Sequence, residues 1–216
     1  GAIHAANSYD VAVFQSNDAP AIRLVETGNA SVAGIGQDDG NMNVASQNYI
    51  RFSTGLASNA EMYNGGTERM RISAAGIVTK PYQPSFFAEG TNYTQASGGL
   101  STIICPSIWH NIGSHYNAST GVFTAPVAGR YQFSFWGLSY PHPNGIVNYI
   151  AFYKGSNQYA DQVQFGGNND QHVPVSGTVI MNLAANDAVT HRYWSNSGGT
   201  ARAYNGQWNY SGHLIG

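Results

Sequence analysis

N-I-G-S-H-Y-N-A-S-T-G-V-F-T-A-P-V-A-G-R-Y-Q-F-S-F, residues 111–135, is the stretch that decides the fold of this chain. Val122-Phe123-Thr124 reads as a short strand closed by Pro126, which has no N–H to give to a ladder. Gly129 allows a tight bend before Tyr131, Phe133 and Phe135, which share one face at period two. Local chemistry therefore predicts two strands in a β-hairpin, with Ala125-Pro126-Val127-Ala128-Gly129 as its turn.

Working outward, Pro84-Ser85-Phe86-Phe87-Ala88 reads as an opening strand. Val179-Ile180-Met181-Asn182-Leu183 reads as a late strand ending in a turn at Asn186-Asp187, and Tyr210-Ser211-Gly212-His213-Leu214-Ile215 as a closing strand. Together with the N-x-G-x-x-Y-N-x-x-T-G-x-F-T-A-P-x-x-G-x-Y-x-F pattern of the central stretch, these segments resemble the globular head of the complement C-one-q and tumour-necrosis-factor superfamily. The resemblance covers roughly residues 84–216 and implies an all-β jelly roll. Two positions depart from the family's pattern: Asn186 stands where Gly is usual, and His213 where an aromatic is usual. The resemblance names no ligand.

Composition agrees with an all-β chain. Of 216 residues, 26 are Gly and 21 are Asn, both suited to turns with positive φ. Only 9% are charged, against about 25% in ordinary soluble domains, and no sustained i, i+3, i+4, i+7 apolar pattern points to an amphipathic helix. Net charge is −2 with nine Lys and Arg dispersed along the chain, so no basic stripe suits nucleic acid. No apolar run reaches the length of a membrane-spanning helix, and no signal peptide opens the chain. Gly1 in place of Met reads as a processed or truncated product. The lone Cys105, after Ile103-Ile104, precludes a disulfide within the chain and reads as a buried hydrophobe.

Residues 1–80 differ in character. Short apolar runs (Val11–Phe14, Ala21–Val25, Tyr49–Phe52) alternate with Asn, Asp, Gly and Ser clusters, predicting many short strands joined by tight turns. Few side chains are large enough for a monomeric core, so pairing with copies of the chain is expected. In Gly65-Gly66-Thr67-Glu68-Arg69-Met70-Arg71-Ile72, Met70 and Ile72 share one face and Arg69 and Arg71 the other; Gly76 closes the following turn. The segment through Val78 resembles the G-T-E-R-M-R-I-x-x-x-G-x-V run of many bacteriophage tail-fibre proteins, near the distal end of a trimeric β-rich shaft. The autocleaving chaperone that often follows it in relatives is replaced here by the complement-like head. Pro81 and Pro84 force an extended connector. The expected order is a trimeric β-rich shaft (1–80), a connector (81–84) and a jelly-roll head (85–216).

Signals for chemistry are sparse. The head has four acids, Glu89, Asp161, Asp170 and Asp187, and nothing in the sequence places two at the separation glycoside hydrolysis needs. The seven His show no zinc-ligand spacing, and the glycines sit at turns, with no G-x-S-x-G elbow or phosphate loop. The expectation is a protein that is not an enzyme. Asp161 and Asp170 bracket a nine-residue loop; in some members of the resembling family, acids of this loop bind calcium near the trimer axis. The sequence requires no cofactor; calcium on Asp161 and Asp170, whose oxygens suit a hard cation, is the one candidate, and an ordinary solvated loop is the alternative reading. Trp136 reads as a strand residue in the core or a subunit contact. Tyr140–Gly145 and Tyr193–Gly199 read as loops, and Tyr140, His142 and Trp194 as candidate receptor contacts, since flat rings bury apolar area at low entropic cost. The function expected is the distal region of a phage fibre, part of the virion. It would attach without covalent chemistry to a host-surface glycan or protein, as a homotrimer joined to upstream fibre or tail components. The alternatives are a structural or decoration fibre without a dedicated receptor, and a secreted complement-like lectin. The lectin is disfavoured by the lack of a collagen-like Gly-X-Y stalk in the chain.

Overall fold

The computed structural model describes residues 21–26, 31–38, 41–56, 66–90, 100–140, 147–159, 163–166, 173–195 and 202–216. All regular structure in these residues is β, and every strand pairing is antiparallel. The chain forms two compact units, Gly1–Pro81 and Tyr82–Gly216.

The first unit holds two three-stranded sheets. Strands β1 (Ala21–Glu26), β2 (Ser31–Asp38) and β3 (Asn41–Ser46) form one; β4 (Ile50–Thr54), β5 (Thr67–Ile72) and β6 (Val78–Thr79) form the other. Strands β4 and β5 set Phe52 opposite Met70 and Ile50 opposite Ile72. Gly76 takes φ 78° in the turn after β5, where Ser73 accepts the Gly76 N–H at 2.9 Å. Arg71 pairs with Glu68 at 2.5 Å and lies 4.3 Å from the centre of the Tyr49 ring. Among residues 33–35, 41–56 and 66–81 of this unit none is buried. Met42 is 76% exposed and Ile77 62%. Val11–Phe14 lies outside the described residues.

The second unit is a sandwich of two sheets. Its strands are β7 (Ser85–Glu89), β8 (Ser101–Thr102), β9 (Ser107–Ile112), β10 (Tyr116–Asn117), β11 (Val122–Thr124), β12 (Gly129–Tyr140), β13 (Val147–Lys154), β14 (Asn157–Gln158), β15 (Val163–Gly166), β16 (Val173–Leu183), β17 (Ala188–Ser195) and β18 (Arg202–Leu214). One sheet has the order β16-β12-β18-β7-β9; the other runs β10-β11-β17-β13-β14, with β8 on β17 and β15 on β13. Strands far apart in sequence are neighbours, as a jelly roll requires.

The expected hairpin is not formed. β11 pairs with β10 and β17, whereas β12 pairs with β16 and β18 in the opposite sheet. Ala125–Ala128 therefore carries the chain across the sandwich. Its ends are tied to different sheets: the Ala125 N–H donates to Asp187 O at 2.9 Å, and the Arg130 N–H to Gly216 O at 2.8 Å. The apolar faces of the two runs still meet, but across the core. Phe123 packs on Tyr131 and Phe133 with ring centroids 5.5 and 5.2 Å apart. Burying aromatic area between sheets outweighs the short lateral ladder a three-residue strand could offer.

Most of the stretch 111–135 is committed to this architecture. Asn111 bridges the bend before Tyr116: its Nδ2 donates to Tyr116 O at 2.8 Å and its Oδ1 accepts the Tyr116 N–H at 3.2 Å. Within the bend Gly113 takes φ 81° and Ser114 φ 57°. The Tyr116 hydroxyl donates to Cys105 O at 3.0 Å and accepts the Cys105 N–H at 3.1 Å. The Tyr131 hydroxyl donates to Val127 O at 2.9 Å and so pins the crossing. The aromatic core is continuous from Phe86, stacked on Tyr116 at 4.6 Å, through Tyr210 to Phe135 and Phe152. Cys105 is fully buried, as the sequence led us to expect; burial, with Glu89 nearby, pushes its thiol up to about 12.

Candidate ligand-binding surfaces

In β17 the residues Val189, His191 and Tyr193 point into the core, while Arg192 and Trp194 alternate outward. This corrects the expectation of a loop over Tyr193–Gly199: Tyr193 and Trp194 belong to the strand, and Tyr193 is buried. Period-two alternation runs through the segment, but the polar His191 masks it. Trp194 lies opposite Tyr149 of β13 and stacks on it, with centroids 5.0 Å apart and planes at 20°. Next along the same face, the Arg192 guanidinium lies 4.5 Å from the centre of the Tyr153 ring, and its Nη2 donates to Gly155 O at 2.6 Å. Tyr149, Tyr153, Arg192 and Trp194 thus form an ordered aromatic and cationic strip on the outer side of this sheet.

The other proposed contacts fall partly or wholly outside the described residues. Tyr140 ends β12, paired with Arg202; the placement of its side chain, and all of His142, lie outside the described residues. So do Asp161 and Asp170, the two calcium candidates. The segment between those acids is not one loop, because Val163–Gly166 forms β15 against β13. Among the described residues no three His, Cys, Asp or Glu side chains gather where they could hold a metal.

Beyond Gly155 the strip opens into a groove of about 580 Å³ between the β13–β14 and β16–β17 turns. Lys154 and Asp187 pair across it at 2.6 Å. Asp187 also accepts the Ala184 N–H at 2.7 Å, and these two partners hold its carboxyl below the usual carboxylate range. Asn186 takes φ 70°, a left-handed conformation that Asn accepts more readily than most residues.

The outer face of the other sheet is different. Trp136, expected in the core or a subunit contact, is 45% exposed, and Ile180 of β16 is 57% exposed. At the far edge Trp109 falls in a register shift, since Phe87 opposes His110 and Ala88 opposes Ile108. The bulge turns Trp109 outward, to 71% exposure.

Across the core, His191 and Trp208 form a polar contact that the sequence did not disclose. The Trp208 indole N–H donates to His191 Nε2 at 3.0 Å and so joins β18 to β17 between the sheets. An indole can only donate, so Nε2 is the unprotonated nitrogen. Burial pushes the imidazole down to about 3.

The second unit is thus a two-sheet antiparallel jelly roll with an aromatic and cationic strip outside one sheet and exposed apolar residues on the other. The C1q domain family model matches residues 85–215, and the chain belongs to that family. Domains of this kind are non-enzymatic binding modules and commonly trimeric. Similar solved structures include the globular domain of zebrafish complement 1qA protein, at 19% identity over 62% of this chain and 98% of that one, with a TM-score of 0.49. Murine APRIL at pH 8.0 is 7% identical over 62% and 99% of the two chains, with a TM-score of 0.46. The Eiger TNF of S. frugiperda is 8% identical over 62% and 93%, with a TM-score of 0.44.

Proposed function

We propose that this chain is the distal part of a phage fibre, a homotrimer whose C1q-type head attaches non-covalently to the host-cell surface. The observation that carries the reading is the contrast between the two units. The head has a complete aromatic core, whereas none of residues 33–35, 41–56 and 66–81 of the first unit is buried and large apolar side chains such as Met42, Phe52 and Ile77 stand exposed. A segment of that kind gains a core by pairing with copies of itself, which is how a fibre shaft is built. Its Gly65–Val78 run is also the one that resembles tail-fibre shafts. In the head, Ile108, Trp109, Trp136 and Ile180 supply apolar area for subunit packing. The Tyr149–Trp194 strip remains for recognition, with Tyr140 and His142 as further proposed contacts. Calcium at Asp161 and Asp170 stays part of the proposal, and its binding would raise the melting temperature of the head.

Adhesion is tested with labelled protein on host cells, wild type against the Tyr140→Ala/Trp194→Ala double variant. Binding that resists raised salt and fails in a still-trimeric double variant is expected, since the head carries four basic and four acidic residues and attracts little at long range. Labelling intact particles separates adhesion from decoration: a label at a tail tip supports attachment, and one scattered over a capsid points to a decoration fibre.

A further inference from the structure

We propose that the groove between the β13–β14 and β16–β17 turns is a binding site for a neutral saccharide. The proposal deepens the adhesion reading, on which it rests for the source of the ligand. Lys154, Ser156, Asn157, Tyr159, Asn186 and Asp187 line the groove. Its two charges are paired with each other at 2.6 Å, so neither an anion nor a cation finds an uncompensated partner. Apart from the Tyr159 ring the lining has no large apolar side chain, which disfavours a lipid or a hydrophobic peptide. What remains is one aromatic face beside two primary amides and a hydroxyl. Amides donate and accept hydrogen bonds at once, as do the adjacent hydroxyls of a sugar, and a flat ring suits the apolar C–H face of a pyranose. The side chains of Ser156, Asn157 and Asn186 are exposed and make no hydrogen bond among the described residues, so their polar atoms are available to a ligand.

The walls are also held in place before anything binds. The Gly155 N–H donates to Ala188 O at 2.8 Å, and the Tyr159 N–H to Phe152 O at 2.9 Å. The Tyr159 hydroxyl accepts the Asn182 N–H at 3.2 Å, which fixes the ring while leaving Tyr159 42% exposed. On the opposite wall the Asn186 N–H donates to Ala125 O at 2.7 Å. Such fixing lowers the entropy lost on binding. Asn186 itself carries its amide at φ 70°, where glycine would sit without strain. The side chain is thus kept at a position where the backbone gains nothing from it. The volume, about 580 Å³, lies within the range of small-molecule sites, and three copies in a trimer would convert weak sugar binding into useful avidity.

The test uses the full chain on an array of immobilised oligosaccharides of glucose, galactose, mannose and N-acetylglucosamine, with sialylated and sulfated glycans as acidic arms. Wild type should bind at least one neutral glycan, with little change at raised salt. Asn157→Ala and Tyr159→Ala should weaken that binding about tenfold or more. Asn186→Gly is the decisive variant, because it relieves the left-handed strain: its melting temperature should hold or rise while glycan binding falls. Binding confined to the acidic glycans, no glycan bound at all, or neutral binding unchanged in Asn157→Ala and Asn186→Gly would each overturn the proposal. Cell adhesion measured in parallel separates the two readings. Adhesion that persists in the groove variants removes the groove and leaves the adhesin, whereas glycan binding without cell adhesion keeps the groove and removes the adhesin.

Discussion

His191 sits in an aromatic cage formed by Phe135, Trp208 and Tyr210, the last with its ring centroid 4.2 Å away. Held neutral at an ordinary pH, it works as an acceptor for one indole and as a stacking surface. Its folded value is pushed down to about 3, whereas an unfolded histidine titrates near ~6.5. Between those values the unfolded chain takes up a proton that the folded head does not. The contribution is therefore complete above pH ~6.5 and is lost as pH falls toward 3, by at most about 1.4 kcal/mol per pH unit. Urea unfolding of the head at several pH values should show this decline. His191→Gln keeps an oxygen acceptor for Trp208 but does not titrate, so its stability should vary less with pH over the same window. Close packing makes a second prediction at this scale. A Cβ on Gly212 would lie 2.6 Å from Phe133 Cδ1 and 2.7 Å from Phe86 Cε1. Gly212→Ala should destabilise the head by about 1–3 kcal/mol in the same assay.

The crossing from one sheet to the other joins strands of very different length. β12 is 12 residues and lies between β16 and β18, while β11 is 3 residues and leads into the crossing. That crossing has few ladder bonds of its own, so the bond from the buried Tyr131 to Val127 O is one of the few ties that hold it. Tyr131→Phe removes that bond alone and should lower unfolding free energy by about 1 kcal/mol, with little change in near-ultraviolet circular dichroism. A hairpin would have survived the same substitution better, because its strands would also hold each other.

For the whole molecule, the two units call for different experiments. Residues 82–216 contain a complete core and should fold and trimerise alone, as light scattering can establish. Residues 1–81 should be poorly soluble or unstructured when expressed alone, since thin strands need partners to set their register. Within the head, Ile180→Asp combined with Trp109→Ser should leave the fold intact, both residues being exposed in one chain, yet yield a monomer. A trimer that persists in this variant would place the subunit contact elsewhere.

Legibility followed range. The class of fold could be read from residues 111–135 because Gly113, Tyr116, Phe123, Tyr131 and Phe133 carry demands that few other frameworks meet: a left-handed bend, a buried hydroxyl, aromatic rings at period two. Cys105 was legible for the same reason, as a thiol in an apolar run. Which strand pairs with which was not, because strand, turn and strand read alike for a hairpin and for a crossing between sheets. Only the competing partners β17 and β18, some 65 to 80 residues further on, decide between them. The groove was equally hidden. Lys154, Asn157, Tyr159, Asn186 and Asp187 come from two turns about 30 residues apart, each an unremarkable polar loop by itself. The sequence by itself determined the faces of the strands, since alternation depends on neighbouring residues. The tertiary structure alone decided the pairing and the groove, since both depend on which distant segments bury their apolar faces together.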